Sequence, residues 1–123
     1  MTAPLVAHRS AAIKGRARVP GDKSISHRAL LIGLLAVGES EIEGLLEGED
    51  VLATARACAQ FGAAVARKAP GSWRVFGAGI GSLIEPRGVV DFGNSGTGAR
   101  LAIGVAAGHP IEAVFDGDPS LRR

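Results

Sequence analysis

Apolar and polar positions along the chain change their period several times, and each change marks an element. Residues 15–19, Gly-Arg-Ala-Arg-Val, alternate and predict a strand. Residues 24–37 predict a helix whose later turns are apolar nearly all round, the pattern of a buried helix, with Gly38 as its stop. Residues 41–45 alternate charged and apolar, predicting a second strand. Glu49-Asp50 opens a second helix, with Asp50 suited to cap it. Its inner face would carry Leu52, Ala55, Ala59 and Cys58, and Gly62 would end it. Residues 63–67 and 73–76 flank Pro70-Gly71 and predict a β-hairpin. The first 77 residues therefore read strand, helix, strand, helix, strand, strand.

The cycle then restarts. Val89–Phe92 predicts a strand, Gly93-Asn94-Ser95-Gly96 a glycine-rich turn, Thr97–Ala107 a helix ended by Gly108, and Ile111–Phe115 a strand. Residues 119–123 resemble the approach to a further helix, so the second cycle holds only its beginning. An unfinished repeat is expected of a truncated chain.

Composition narrows the class. The chain has 123 residues, 46% hydrophobic and 21% charged, enough for one small domain. With 4% aromatic residues and 18 glycines, the core must be aliphatic and alanine-rich, with many tight turns. The net charge of +2 is spread along the chain, without the basic stripe or interleaved aromatics that nucleic acid demands. Cys58 stands alone, so no intramolecular disulfide can form. The first residues lack a charged start followed by an apolar core, so no signal peptide is expected. The longest apolar run, residues 29–37, is too short to span a bilayer. These features fit a cytoplasmic protein that binds neither nucleic acid nor membrane.

The strongest chemical signal lies at residues 20–28, Pro-Gly-Asp-Lys-Ser-Ile-Ser-His-Arg, where a turn meets a helix start. Lys23, Ser24, Ser26 and Arg28 crowd a first turn whose amides have no intrahelical acceptors. Cations are unfavourable at that end, so their presence suggests a bound phosphate or carboxylate. The competing reading is that Ser24 caps the helix and the cations are solvated. The stretch is not a nucleotide P-loop, because Asp22 separates Gly21 from Lys23. Gly93-Asn94-Ser95-Gly96-Thr97-Gly98-Ala99-Arg100 follows a strand and opens a helix, which is either a second anion site or a plain tight turn. It is no dinucleotide fingerprint, since Leu101 stands where glycine is required. His8, His27 and His109 lack metal-ligand spacing, so no metal is expected. Cys58 reads as core, His27 as capping or solvated with contact to the anion site as the alternative, and Glu49 and Asp50 as helix-start residues. No general acid or base stands out.

Residues 20–30 resemble the N-terminal signature of the 5-enolpyruvylshikimate-3-phosphate (EPSP) synthases. Residues 91–100 resemble their second signature, residues 117–123 the start of a third, and residues 46–51 also look like the bacterial enzymes. The resemblance covers essentially the whole chain. It implies an α/β fold of βαβαββ repeat units, the inside-out barrel of the enolpyruvyl transferases, with about one and a half repeats present. It implies that residues 1–14 are a strand segment pairing with a missing second domain, and that residues 15–123 are an incomplete first domain. The reaction implied is attack of the 5-hydroxyl of shikimate 3-phosphate on C2 of phosphoenolpyruvate, protonation of C3, then loss of phosphate. No cofactor or metal is implied.

By motif position, Lys23 resembles the lysine that contacts both substrates. Ser24 and Arg28 look like ligands of shikimate 3-phosphate, and Asn94 and Gly96 match the loop beside phosphoenolpyruvate. Thr97 and Arg100 match positions that shape and brace that loop. Glyphosate occupies the phosphoenolpyruvate site in this family, and glycine at 96 implies a sensitive parent enzyme. The third signature normally continues to an arginine one position past Arg123, which neither Arg122 nor Arg123 replaces. The groups assigned to proton transfer lie outside these residues, so this chain alone is expected to be inactive. A non-catalytic anion-binding fragment, or half of a split enzyme, are the alternatives. The sister enzymes acting on UDP-N-acetylglucosamine usually carry Lys-Asn where this chain has Lys23-Ser24.

Overall fold

The computed structural model describes residues 3–123. Its elements are α1 (Lys23–Leu35), β1 (Val37–Glu43), α2 (Glu49–Gln60), β2 (Ala64–Ala69), β3 (Ser72–Ala78), β4 (Val90–Asp91), α3 (Gly96–Ala106) and β5 (Phe115–Asp116). Strands β1, β3 and β2 form an antiparallel sheet in that order, and β4 pairs with β5 in parallel. α1 and α2 pack on the sheet, and α3 packs on both helices. The mixed α/β architecture expected from the alternating periods is present.

The predicted strand at 15–19 is not formed. Residues 3–20 are exposed and carry neither helix nor strand. An alternating pattern becomes a strand only beside a partner ladder, and this segment has none among the described residues. Residues 1 and 2 of the expected pairing segment lie outside the described residues.

α1 buries Ser26, His27, Leu30, Leu31, Gly33 and Leu34, whereas Ile25 and Ile32 stay exposed. It is therefore buried on one face, not all round. Gly33 faces Val75 of β3 at van der Waals distance, and a Cβ there would come within 3.1 Å. The helix stops before Gly38. Ala36 is its C-cap, donating to the Ile32 carbonyl at 2.9 Å, and Gly38 lies inside β1 with φ +92°. Any side chain at Gly77 of β3 would overlap the carbonyl oxygens of Gly33 and Ala36, so β3 passes directly under the helix end.

α2 is the central helix. Val51, Ala53, Thr54, Ala55, Ala57 and Cys58 are buried, because α2 meets α1, α3 and the sheet. Leu52 is only half-buried and Ala59 is exposed, so the inner face is rotated from the one predicted. Its N-cap is Gly48, not Asp50. Burial pushes the Cys58 thiol up to about 12, as befits a core residue. Phe115 ties the β4–β5 pair to the end of α2, its ring 6.1 Å from Phe61 and 6.2 Å from Phe92.

The β2–β3 hairpin around Pro70-Gly71 forms as predicted. Glu47 ties it to the preceding loop. Its carboxylate accepts from Arg67 at 2.8 and 2.9 Å, from the Gly71 amide at 2.9 Å and from the Trp73 indole at 2.8 Å. The predicted strand at 111–115 shrinks to β5. The amides of Ile111 and Glu112 are engaged elsewhere, by the His109 carbonyl and the Glu85 carboxylate.

Candidate functional site: a polar pocket between helix starts

The start of α1 is held by close packing and hydrogen bonds. A side chain at Gly21 would overlap the Gly44 carbonyl, so only glycine lets the chain approach here. Asp22, not Ser24, caps α1, its carboxylate accepting from the Ile25 amide at 2.7 Å. Ser26 is buried and fully engaged. Its hydroxyl donates to the Asp22 carbonyl at 2.7 Å and accepts from the Leu46 amide at 3.0 Å. It is thus a structural residue, removed from the first-turn anion set that the sequence suggested.

Lys23 Nζ lies 2.6 Å from Asp50 Oδ2. The Lys23 ammonium holds the Asp50 carboxyl below the usual carboxylate range. Asp50 Oδ1 also accepts from the Val51 amide at 3.0 Å. This pair sits at one side of a polar pocket of about 250 Å3 lined by Lys23, Asp50, Asn94, Ser95, Gly96, Thr97 and Arg100.

The opposite side is the start of α3. The chain leaves β4, turns at Gly93 with φ +55°, and enters the helix through buried Ser95. Ser95 Oγ caps α3 by accepting from the Gly98 amide at 3.2 Å. A Cβ at Gly98 would lie 2.6 Å from both Ser95 Oγ and Thr54 Oγ1, so the first turn of α3 rests directly on α2. Asn94 and Thr97 are exposed at the pocket, and Gly96 is half-buried. A Cβ at Gly96 would press on the Arg100 guanidinium at 2.7 Å. Arg100 makes no ion pair among the described residues.

Lys23, Asn94, Gly96, Thr97 and Arg100 therefore come together. Ser24 and Arg28 do not join the lining. Arg28 Nη1 donates to the Ser24 carbonyl at 3.1 Å and to the Ser24 hydroxyl, on the exposed side of α1. Arg122 forms a two-pronged pair with Asp116, at 2.7 and 2.6 Å. His27 is neither solvated nor capping. It is fully buried, with Nδ1 2.8 Å from Thr54 Oγ1, and burial pulls its pKa below the usual histidine value. Asp50 in the pocket and Thr54 beneath it were missed by sequence reasoning, because the contacts they make cross 27 residues and leave no local signature.

An ammonium, a guanidinium and a helix N-terminus around one carboxylate suit a small anion bearing several oxygens. A neighbouring hollow of about 280 Å3, over Ala99, Ile103, Phe115 and Leu121, shares Arg100 with the pocket, and its other guanidinium, Arg122, is taken up by Asp116. Fold and pocket together define an α/β domain in which the starts of α1 and α3 meet at one polar pocket.

The sequence model of EPSP synthase (3-phosphoshikimate 1-carboxyvinyltransferase) matches residues 7–123, and the chain belongs to that family. It is 58% identical over 120 residues to the 3-phosphoshikimate 1-carboxyvinyltransferase of Methylobacterium sp. (strain 4-46), a match covering 98% of this chain and 27% of the relative. It is 63% identical over 119 residues to that of Afipia carboxidovorans, covering 97% and 27%. A solved structure of EPSP synthase from Acinetobacter baumannii superposes with a TM-score of 0.82 at 39% identity, covering 89% of this chain and 25% of that one. The chain thus spans about a quarter of the length of the relatives it matches. Among the described residues, no helix is long and apolar enough to cross a membrane.

Proposed function

We propose that this chain supplies one wall of the active site of a 3-phosphoshikimate 1-carboxyvinyltransferase, working in the cytoplasm of a bacterium. The observation that carries this reading is the meeting of Lys23 with the Asn94–Thr97 turn at one polar pocket. Those two segments belong to separate signatures of the family, and the fold makes them neighbours.

In this reading Lys23 contacts both substrates, its ammonium offsetting their charge where the 5-hydroxyl of shikimate 3-phosphate approaches C2 of phosphoenolpyruvate. Asp50 pairs with that ammonium at the edge of the pocket. Asn94, Gly96 and Thr97 bring the start of α3 to phosphoenolpyruvate, with Arg100 bracing the turn. Ser24 and Arg28 hold shikimate 3-phosphate from the exposed face of α1. The 5-hydroxyl gives up its proton as C2 gains the new C–O bond and C3 a proton; the tetrahedral intermediate then collapses as C3 loses a proton and phosphate leaves C2, which restores the C2–C3 double bond. Glyphosate competes for the phosphoenolpyruvate half. Residues 3–14, exposed and without helix or strand, belong to the 1–14 segment that a second domain would engage.

The test is an amide spectrum of the 123-residue chain titrated with shikimate 3-phosphate. Selective shifts at Lys23, Ser24 and Arg28 are expected. Dispersed peaks that never move overturn the reading that these residues hold that substrate in this chain.

A further inference from the structure

Two contacts between α1 and α2 repeat one helical turn apart. Lys23 pairs with Asp50, and His27 pairs with Thr54, each across the same 27-residue offset. The upper contact faces the pocket; the lower one is fully buried. Thr54 Oγ1 is also the atom that a side chain at Gly98 would strike, so one hydroxyl touches both α1 and the first turn of α3.

We infer that His27 and Thr54 are positioning residues, a buried polar floor that sets the distance between Lys23 and the start of α3. The inference rests on the proposed function, because it matters only if the pocket holds an anion. Three observations support it. Apolar side chains would fill this space without desolvating polar atoms, whereas His27 Nε2 is buried with no hydrogen-bond partner among the described residues. Thr54 can donate to the Asp50 carbonyl at 3.5 Å while accepting from His27 Nδ1–H, which joins the floor to the residue that pairs with Lys23. That arrangement requires the Nδ1–H tautomer, leaving only a lone pair on Nε2 unsatisfied. A hydrogen bond in such surroundings fixes relative position more sharply than interchangeable apolar contacts do.

Thr54→Val keeps the shape and removes the hydroxyl, and Thr54→Ser restores it. The Val variant should shift the amides of Gly96, Thr97 and Gly98 and weaken phosphoenolpyruvate binding about fivefold, the size of one lost hydrogen bond. The Ser variant should stay within about twofold of the parent. Unchanged α3 amides and unchanged affinity in a folded Val variant overturn the inference. If the Val variant fails to fold, the His27 ring nitrogens of the parent chain decide. A slowly exchanging Nδ1–H supports the floor, and an Nε2–H tautomer overturns it. Absence of phosphoenolpyruvate binding by the parent chain counts against the proposed function instead, and the α3 amides and ring tautomer still decide the positioning role.

Discussion

Lys23 Nζ and Asp50 Oδ2 stand 2.6 Å apart at the edge of the pocket, so the cation that makes the site attractive to an anion is partly neutralised before any ligand arrives. Lys23 remains more than half exposed, while Asp50 is mostly covered. The aspartate therefore acts as a fixed counter-charge, and the lysine as the movable partner.

Asp50→Asn should release Lys23 and raise the affinity of the chain for inorganic phosphate a few-fold at low salt. The cost in stability should stay under about 1 kcal/mol, since the pair is solvent-screened. Phosphate titrations at two salt concentrations, beside thermal unfolding, check both effects. Affinity that falls in the variant would mean that Asp50 orients Lys23 more than it neutralises it.

Glu47 gives a pH dependence of known sign. Hydrogen bonds from Arg67, Gly71 and Trp73 lower its carboxyl from 4.5 to about 2. Its contribution to stability is fully present above about pH 4.5 and is lost as pH falls toward 2. Urea unfolding should show Glu47→Gln weaker than the parent at pH 7, with the gap closing near pH 2.5. A gap that persists undiminished at that pH would place the effect elsewhere than in the carboxylate.

Two glycines of the same turn should respond differently to a methyl group. At Gly98 it meets buried Ser95, Thr54 and Phe92, and Gly98→Ala should cost about 1–3 kcal/mol. At Gly96 it meets the end of the Arg100 side chain, which can swing away, so Gly96→Ala should unfold within a few degrees of the parent. Its effect should fall on phosphoenolpyruvate and glyphosate binding instead. Melting curves and ligand titrations of both variants separate the two outcomes.

The purified chain should release little or no phosphate from shikimate 3-phosphate and phosphoenolpyruvate. It holds one wall of the proposed cleft and spans about a quarter of the length of its relatives. A coupled phosphate assay reads this directly, and measurable turnover would show that these residues suffice.

Much of the fold was legible because helices declare themselves locally. The apolar run after Arg28, the small residues after Asp50 and the turn at Pro70-Gly71 each specify their element from neighbouring residues alone. The alternating residues 15–19 did not become a strand, since pairing depends on a neighbour that periodicity cannot supply. Gly38 reads as a helix stop, yet it serves β1; the helix had already ended where Gly77 crosses beneath it. The pocket was half legible. Lys23 and the 93–100 turn are marked by local chemistry that is odd for a plain helix start. Asp50 looked like a cap because an acidic residue at a helix start is ordinary, and its role emerges only when α2 is laid beside α1. Ser26 and His27 sit among the same conspicuous residues as Lys23, but the helix turns them inward.

Cys58, the lone thiol, is sealed beneath α1, its sulfur 3.6 Å from the Leu30 carbonyl. A thiol-labelling reagent can reach it only when α1 and α2 part. The chain therefore carries its own clock for that opening. The labelling rate at neutral pH counts how often the helix pair separates, and a ligand that bridges Lys23 and the α3 turn should slow it.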